Sequence, residues 1–265
     1  MKILKTKSLT RTFNSLTAVN RLTLSINHQE VFGLVGPNGA GKTTTIKMLT
    51  TLLPPSSGTG LVAGFDICHQ PARVRQMIGY VPQLISADGA LTGYENLLIF
   101  SKLYDIPQAQ REERIQAALT FMGLQEAAHK LVRQYSGGMI RRLEIAQSIL
   151  NQPAVLFLDE PTLGLDPNAR HMVWEHIHRL AREFNTTIFL TTHMMQEADY
   201  LCDRVAIMNL GKIVAIGSPS DLKKSIGKER ASMDDVFMHY TGYQIDNAGN
   251  FSEVLRTRRI VRRLG

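Results

Sequence analysis

Five short, mostly apolar runs punctuate the chain: residues 31–35 (VFGLV), 78–81 (IGYV), 155–158 (VLFL), 187–191 (TIFLT) and 204–208 (RVAIM). They are too short for helices and do not alternate apolar with polar. That pattern predicts strands buried on both faces. Longer stretches with apolar residues at helical spacing lie between them, so the chain is expected to be α/β: a mainly parallel sheet with helices on its faces. Residues 86–151 break the alternation. They hold no convincing strand and three helical patterns, over 94–103, 109–122 and 137–150, and read as a helical subdomain inserted into the α/β core. Ahead of the first buried run, Leu22, Leu24 and Ile26 alternate with polar residues. Residues 1–26 are therefore expected to form a small antiparallel sheet. No repeat of solenoid period and no low-complexity linker is visible. The expected division is a folded body over 1–241, then a loop and basic tail over 242–265.

Composition narrows the class. The chain has 265 residues, 44% hydrophobic and 20% charged, as in an ordinary globular protein. No apolar run approaches the ~18 residues of a membrane-spanning helix. Residues 1–13 scatter four basic residues and hold no continuous apolar stretch, so no secretory leader is expected. Two cysteines, Cys68 and Cys202, fit neither a disulfide framework nor a metal cluster, and suit a reducing compartment. The net charge of +7 first suggests nucleic acid or an anionic membrane. However, five arginines between 256 and 263, with no acid among residues 254–265, account for all but +2 of it. The body is nearly neutral, and no nucleic-acid partner is expected. On a helical wheel the tail has one apolar and one arginine-rich side, which suits either a membrane surface or a solvated charged face.

Residues 36–43 read Gly36-Pro37-Asn38-Gly39-Ala40-Gly41-Lys42-Thr43, followed by Thr44. This is G-x-x-x-x-G-K-[ST], after a strand-like run and before a helix-like one, as a phosphate loop requires. Glycines let backbone N–H groups turn inward around phosphate oxygens, and the following helix N-terminus favours anions. Lys42 would place a cation on the β- and γ-phosphates, and the Thr43 hydroxyl could ligate Mg²⁺. The alternative is a glycine-rich turn with a chance lysine.

The run 155–158 ends in Asp159 and Glu160. Ligands of open α/β sheets gather at the C-terminal ends of strands. Asp159 becomes a Mg²⁺ partner, direct or through water. Glu160, expected on the other side of the pleat, could polarise an attacking water.

Six segments in order resemble an ABC-type ATPase, the nucleotide-binding subunit of ATP-binding cassette transporters. They are the phosphate loop, Tyr80-Val81-Pro82-Gln83 (the Q-loop), Tyr135-Ser136-Gly137-Gly138-Met139 (the signature), the strand ending in Asp159-Glu160 (Walker B), Gly164-Leu165-Asp166-Pro167 (the D-loop) and His193 (the switch histidine). The likeness covers nearly the whole chain to about Gly242. Tyr135 stands where leucine is common in the family, and Met139 where glutamine is. With Arg141-Arg142-Leu143-Glu144, residues 201–205 and residues 233–237, these departures resemble the multidrug and daunorubicin-resistance-type export branch.

The resemblance implies roles. ATP and Mg²⁺ are the expected cofactors. Phe13 would stack on adenine, its alternative being a core residue of the small sheet. Gln83 would contact Mg²⁺ or the water and couple the site to the helical subdomain. Ser136, Gly137 and Gly138 open a helix and would bind the γ-phosphate of ATP held by a second cassette; the alternative is a plain helix cap. Asp166 would join the nucleotide site, and His193 would bond the γ-phosphate. His176 and His178 point to different faces of a helix and are not read as a metal pair. The implied protein is a peripheral ATPase on the cytoplasmic face of the inner membrane. It would pair with an identical or different cassette and dock through residues 83–100 on a separate transmembrane permease. Export of a drug-like or lipid-like substrate is the first expectation, import the alternative, and a soluble non-transport ATPase the remaining one.

Overall fold

The computed structural model describes residues 1–242; the basic tail, its two-sided wheel and nearly all of the preceding loop lie outside the described residues. Two sheets organise the chain. The first is antiparallel: β1 (Lys2–Phe13) is flanked by β2 (Leu16–Leu22) and β3 (Ser25–Asn27) on one side and by β5 (Ser57–Val62), then β6 (Phe65–Asp66), on the other. The second holds the predicted runs: β4 (Val31–Val35), β7 (Ile78–Val81), β8 (Val155–Asp159), β9 (Thr187–Thr192) and β10 (Arg204–Asn209), with β11 (Lys212–Gly217) at its edge. Their spatial order is β11-β10-β4-β9-β8-β7, parallel throughout except for the β10–β11 hairpin.

The helices among the described residues are α1 (Lys42–Leu49), α2 (Pro71–Met77), α3 (Gly93–Leu103), α4 (Gln108–Phe121), α5 (Gly137–Ile149), α6 (Pro167–Glu183), α7 (Met195–Leu201), α8 (Pro219–Ser225) and α9 (Met233–Thr241). Their starts are written locally. Thr92 and Glu95 form a reciprocal capping box on α3, Ser232 and Asp235 do so on α9, and Pro167 and Pro219 stand in the first turns of α6 and α8.

Every residue of β4, β8 and β9 is buried. The period of two divides their side chains between two cores. Phe32, Phe157 and Phe189 lie on one side, ring against ring with centroids 5.5–5.7 Å apart, and pack with α1 and the antiparallel sheet. Leu156, Leu158, Ile188 and Leu190 lie on the other and pack with α5, α6 and the helices of 86–151. The latter segment holds no strand, only a bridge between Thr92 and Leu131. The fold is thus the expected α/β type with an antiparallel N-terminal sheet. The additions are β5 and β6, which enlarge that sheet from a later part of the chain.

Candidate active site

The phosphate loop leaves β4 and enters α1. Two of its glycines are fixed by close approach. A Cβ on Gly36 would lie 2.3 Å from the Met208 carbonyl oxygen, and one on Gly41, where φ is 107°, would lie 2.4 Å from that of Ala18. Neighbouring main chain excludes any side chain at either position. Ala40 is buried; Pro37, Thr43 and Thr44 are half-buried, and Asn38 and Gly39 exposed.

Lys42 is buried, and its ammonium has three partners: the carbonyls of Gly36 (2.8 Å) and Pro37 (3.2 Å), and Glu160 Oε1 at 3.2 Å. Three donors for three partners leave the charge fully used. The Thr43 hydroxyl donates to Asp159 Oδ1 (3.2 Å), and so does that of Thr191 on β9 (2.6 Å). Asp159 Oδ2 is buried and has no partner. Burial raises the Asp159 carboxyl, opposed by the Thr191 and Thr43 hydrogen bonds.

Glu160 lies just beyond β8 in the left-handed region, φ 51°. For a residue with a Cβ this costs about 1–3 kcal/mol. Its N–H donates to both the carbonyl and the hydroxyl of Thr191, each 3.1 Å, which holds the turn. The pleat therefore does not place Glu160 opposite Asp159, as the strand pattern predicted. The left-handed residue swings the main chain so that both carboxylates meet the phosphate loop. His193 Nδ1 is 2.7 Å from Glu160 Oε2. Burial works to raise the Glu160 carboxyl. The His193 hydrogen bond and the Lys42 charge outweigh it, so its pKa sits below the ordinary carboxylate value. Adjacent carboxylates are thus shifted in opposite directions: burial prevails at Asp159, and the partners His193 and Lys42 prevail at Glu160.

Lys42, Glu160 and His193 form one bonded set and Thr43 and Asp159 another, joined through Thr191. The other predicted residues stand apart from them. Phe13 is 40% exposed at the end of β1, so it is not a core residue; the Arg11 guanidinium covers its ring, 4.6 Å from the centroid. Gln83 follows β7, is exposed, and its side chain makes no hydrogen bond. Ser136 caps α5, accepting the Met139 N–H at 3.3 Å. Asp166 caps α6, accepting the Ala169 N–H at 3.0 Å. Gly138 is the contact between these helices: a Cβ there would lie 2.7 Å from Ala169 Cβ. Tyr135 is buried, and its hydroxyl donates to the Ala127 carbonyl (2.7 Å). On α6, His176 packs against the Phe121 ring while His178 bonds the Tyr200 carbonyl.

Sequence reasoning missed three contributors. Thr191 bonds the Asp159 carboxylate and the Glu160 main chain. Glu197 on α7 is buried and accepts from Thr162 (2.6 Å) and Trp174 (2.8 Å), tying the turn after Glu160 to α6. Arg141 and Glu144 on α5 form a buried ion pair at 3.0 Å. In the sequence both stood only within the segment that resembles the export branch, and their i, i+3 spacing was the signal that they could pair.

Residues 19–163 match the model of the ABC transporter family. The chain is 43% identical to the daunorubicin/doxorubicin resistance ATP-binding protein DrrA of Streptomyces peucetius, over 85% of this chain and 68% of that protein. It is 42% identical to the Nod factor export ATP-binding protein I of Ralstonia nicotianae, over 83% of this chain and 68% of that one. Among solved structures, an ATP-binding subunit of an ABC transporter superposes with a TM-score of 0.78 at 28% identity, covering 90% of this chain and 99% of that one.

Proposed function

The chain belongs to the ABC transporter family of ATP-binding, ATP-hydrolysing proteins, and from that premise we propose that it is the Mg²⁺-dependent ATPase subunit of an exporter. The observation that carries the chemistry is the unpartnered, buried Asp159 Oδ2 beside the Thr43 hydroxyl. Hard oxygen donors, one of them an orphaned acidic oxygen, fit a divalent cation that keeps several waters. Thr43 and Asp159 would hold Mg²⁺, and Gln83 would contact it or the attacking water. The ion supplies charge neutralisation on the β- and γ-phosphates.

The chain's own residues do the rest. Gly36 to Thr44 present backbone N–H groups to the phosphates of ATP. Lys42 exchanges the Pro37 carbonyl and Glu160 for phosphate oxygens. That exchange frees Glu160 Oε1 to orient the attacking water and accept its proton. Glu160 keeps its His193 bond at Oε2, so the histidine holds the carboxylate in place and stands beside the γ-phosphate. Phe13 offers the ring face not covered by Arg11 to adenine. Ser136, Gly137 and Gly138, with Asp166, act on the ATP of a second cassette, identical or different.

Among the described residues, no helix is long and apolar enough to cross a membrane. A separate membrane subunit completes the transporter and places the chain peripherally on the cytoplasmic face. Leu84 and Ile85, 81% and 66% exposed, lie in the predicted docking segment. The similarity to resistance and export proteins favours outward transport of a drug-like or lipid-like molecule.

The test is ATP hydrolysis by the purified full chain under a Mg²⁺ titration. Phosphate release should rise with Mg²⁺ and stop on chelation. Asp159→Asn should raise the Mg²⁺ concentration needed for half-maximal rate. An unchanged Mg²⁺ dependence in that variant would remove the metal assignment.

A further inference from the structure

The loop that follows β7 bears two exposed apolar side chains, Leu84 and Ile85, between residues tied to the protein interior. On one side, the Pro82 carbonyl accepts from Arg141 Nη1 at 2.8 Å and the Gln83 carbonyl lies 3.5 Å from Nη2. On the other, the N–H and hydroxyl of Ser86 both donate to Glu144 Oε1, at 2.5 and 3.0 Å. Arg141 and Glu144 are one turn apart on α5, bonded to each other, and almost wholly buried. The same guanidinium reaches out of the loop altogether. Its Nη2 donates to the Glu160 carbonyl at 3.4 Å, an oxygen that also accepts from the Leu163 N–H.

Glu160 is the left-handed residue of the site, with Thr191 on its N–H and Arg141 on its carbonyl. A residue in that conformation keeps it only while its surroundings specify it. One planar, multi-donor cation thus spans two main-chain segments distant in sequence, the exposed loop 82–86 and the turn at Glu160. Lysine, with a single nitrogen, cannot span both with the same fork.

We propose that Arg141, held in place by Glu144, is a positioning residue for Glu160 that links its backbone conformation to that of loop 82–86. Displacement of the loop, as when a partner covers Leu84 and Ile85, draws on the Arg141 contacts and is felt at Glu160. The inference rests on the catalytic reading of Glu160 for its meaning, though the physical link does not.

The experiment perturbs one end and reads the other, in the full chain without nucleotide. Ser86→Ala removes one bond at the loop. Arg141→Met with Glu144→Leu removes the whole pair, leaving no uncompensated buried charge. Arg141→Lys is the conservative variant. Amide hydrogen exchange is followed in peptides covering 82–88 and 159–164. Ser86→Ala should raise exchange about threefold or more in both peptides, and the double variant should raise it about tenfold. In steady-state hydrolysis the double variant should lose about tenfold in kcat with KM for ATP within about twofold, and Arg141→Lys should recover part of the loss.

Faster exchange confined to 82–88 in Ser86→Ala would overturn the proposal. So would a double variant with a lower melting temperature but an unchanged kcat per folded molecule. If the double variant fails to fold, Ser86→Ala and Arg141→Lys decide by the same readouts. A wild-type chain without ATPase activity would sink the catalytic reading, while the exchange data would still decide the link.

Discussion

The two ends of the proposed nucleotide site satisfy their polar groups in opposite ways. At the phosphate-loop end, Lys42 and His193 bond Glu160 while Thr43 and Thr191 bond Asp159, partly out of water, and a single carboxylate oxygen is left over. At the signature end, Ser136 and Asp166 each satisfy their own helix start, and Ser136 and Gly137 face solvent. The first end stores its interactions internally, and a ligand must displace them. The second asks nothing of its own chain beyond capping, so the further role proposed for it falls to another molecule. A cluster of interlocked charges is costly to break from within. A pair of capped helices is nearly indifferent until something docks.

The largest effect belongs to the first end. Glu160→Gln retains size and a hydrogen-bonding group but removes the charge that accepts a proton and pairs with Lys42. Hydrolysis should fall by ~10²–10⁴, the usual weight of a general base. ATP binding should persist or tighten, because Lys42 no longer has to leave a carboxylate. Steady-state turnover beside equilibrium binding of a labelled nucleotide measures both. Turnover within a few-fold of wild type would place the essential base elsewhere and erase the contrast between the ends.

Much of the first end was legible because backbone rules force its residue types. A loop that must approach Met208 and Ala18 main chain needs glycine at 36 and 41, and the apolar run 155–158 ends in two acids, Asp159 and Glu160, that stay buried at the strand's C-terminal end. Thr191 was not legible. In an all-buried strand a threonine reads as a β-branched filler, and only the neighbouring β8 shows its hydroxyl bonding Asp159. Arg141 and Glu144 were legible only as part of a segment resembling the export branch; their burial comes from the loop after β7, which bonds to both. β5 escaped because SGTGLV carries two glycines and little strand propensity; pairing with β1 overrides that. The signature end was legible as a motif, yet the structure shows only its caps. Chemistry supplied by a second molecule leaves little trace in the resting chain.

That dependence can be tested by mixing chains. Lys42→Ala removes the phosphate cation, a charged group worth about 1.5–3 kcal/mol per hydrogen bond. The companion variant should disable the signature without disturbing its own fold. Gly138 is a poor choice, since any Cβ there presses on Ala169 in the same chain. Gly137 is better: its nearest obstacle is the end of the Leu165 side chain, 3.3 Å from a built Cβ. Lys42→Ala and Gly137→Asp chains should each fail to close on ATP alone. In the mixed pair, one interface joins the intact phosphate loop of the second chain to the intact signature of the first. ATP-dependent cross-linking of engineered cysteines across that interface should recover in part. A mixed pair that closes no better than its parents would make both ends serve the same chain.

The smallest effect concerns acid. The signature end leans on α6, and α6 carries His176 against the Phe121 ring with Nδ1 buried and unpartnered. Burial lowers its pKa from 6.5 to about 4, the charges of Arg142 and Arg179 add to that, and Glu175 opposes them. Between those values the unfolded chain binds a proton there that the folded chain does not. Stability from the neutral imidazole is complete above pH 6.5 and drains away as pH falls toward about 4. At the other end the shifts partly cancel. Glu160, lowered, favours the folded state less as acid is added, whereas Asp159, raised, does the reverse. Acid should therefore loosen the helix α6 side more than the phosphate-loop side. His176→Leu keeps an apolar contact with Phe121 and cannot titrate. Between about pH 7.5 and about pH 5, wild type should lose more melting temperature than this variant by about 2–4 °C, the response of a domain this size to roughly 1 kcal/mol. Scanning fluorimetry of both chains across that range measures the difference. Equal losses would show that acid acts on both ends alike, through groups other than this histidine.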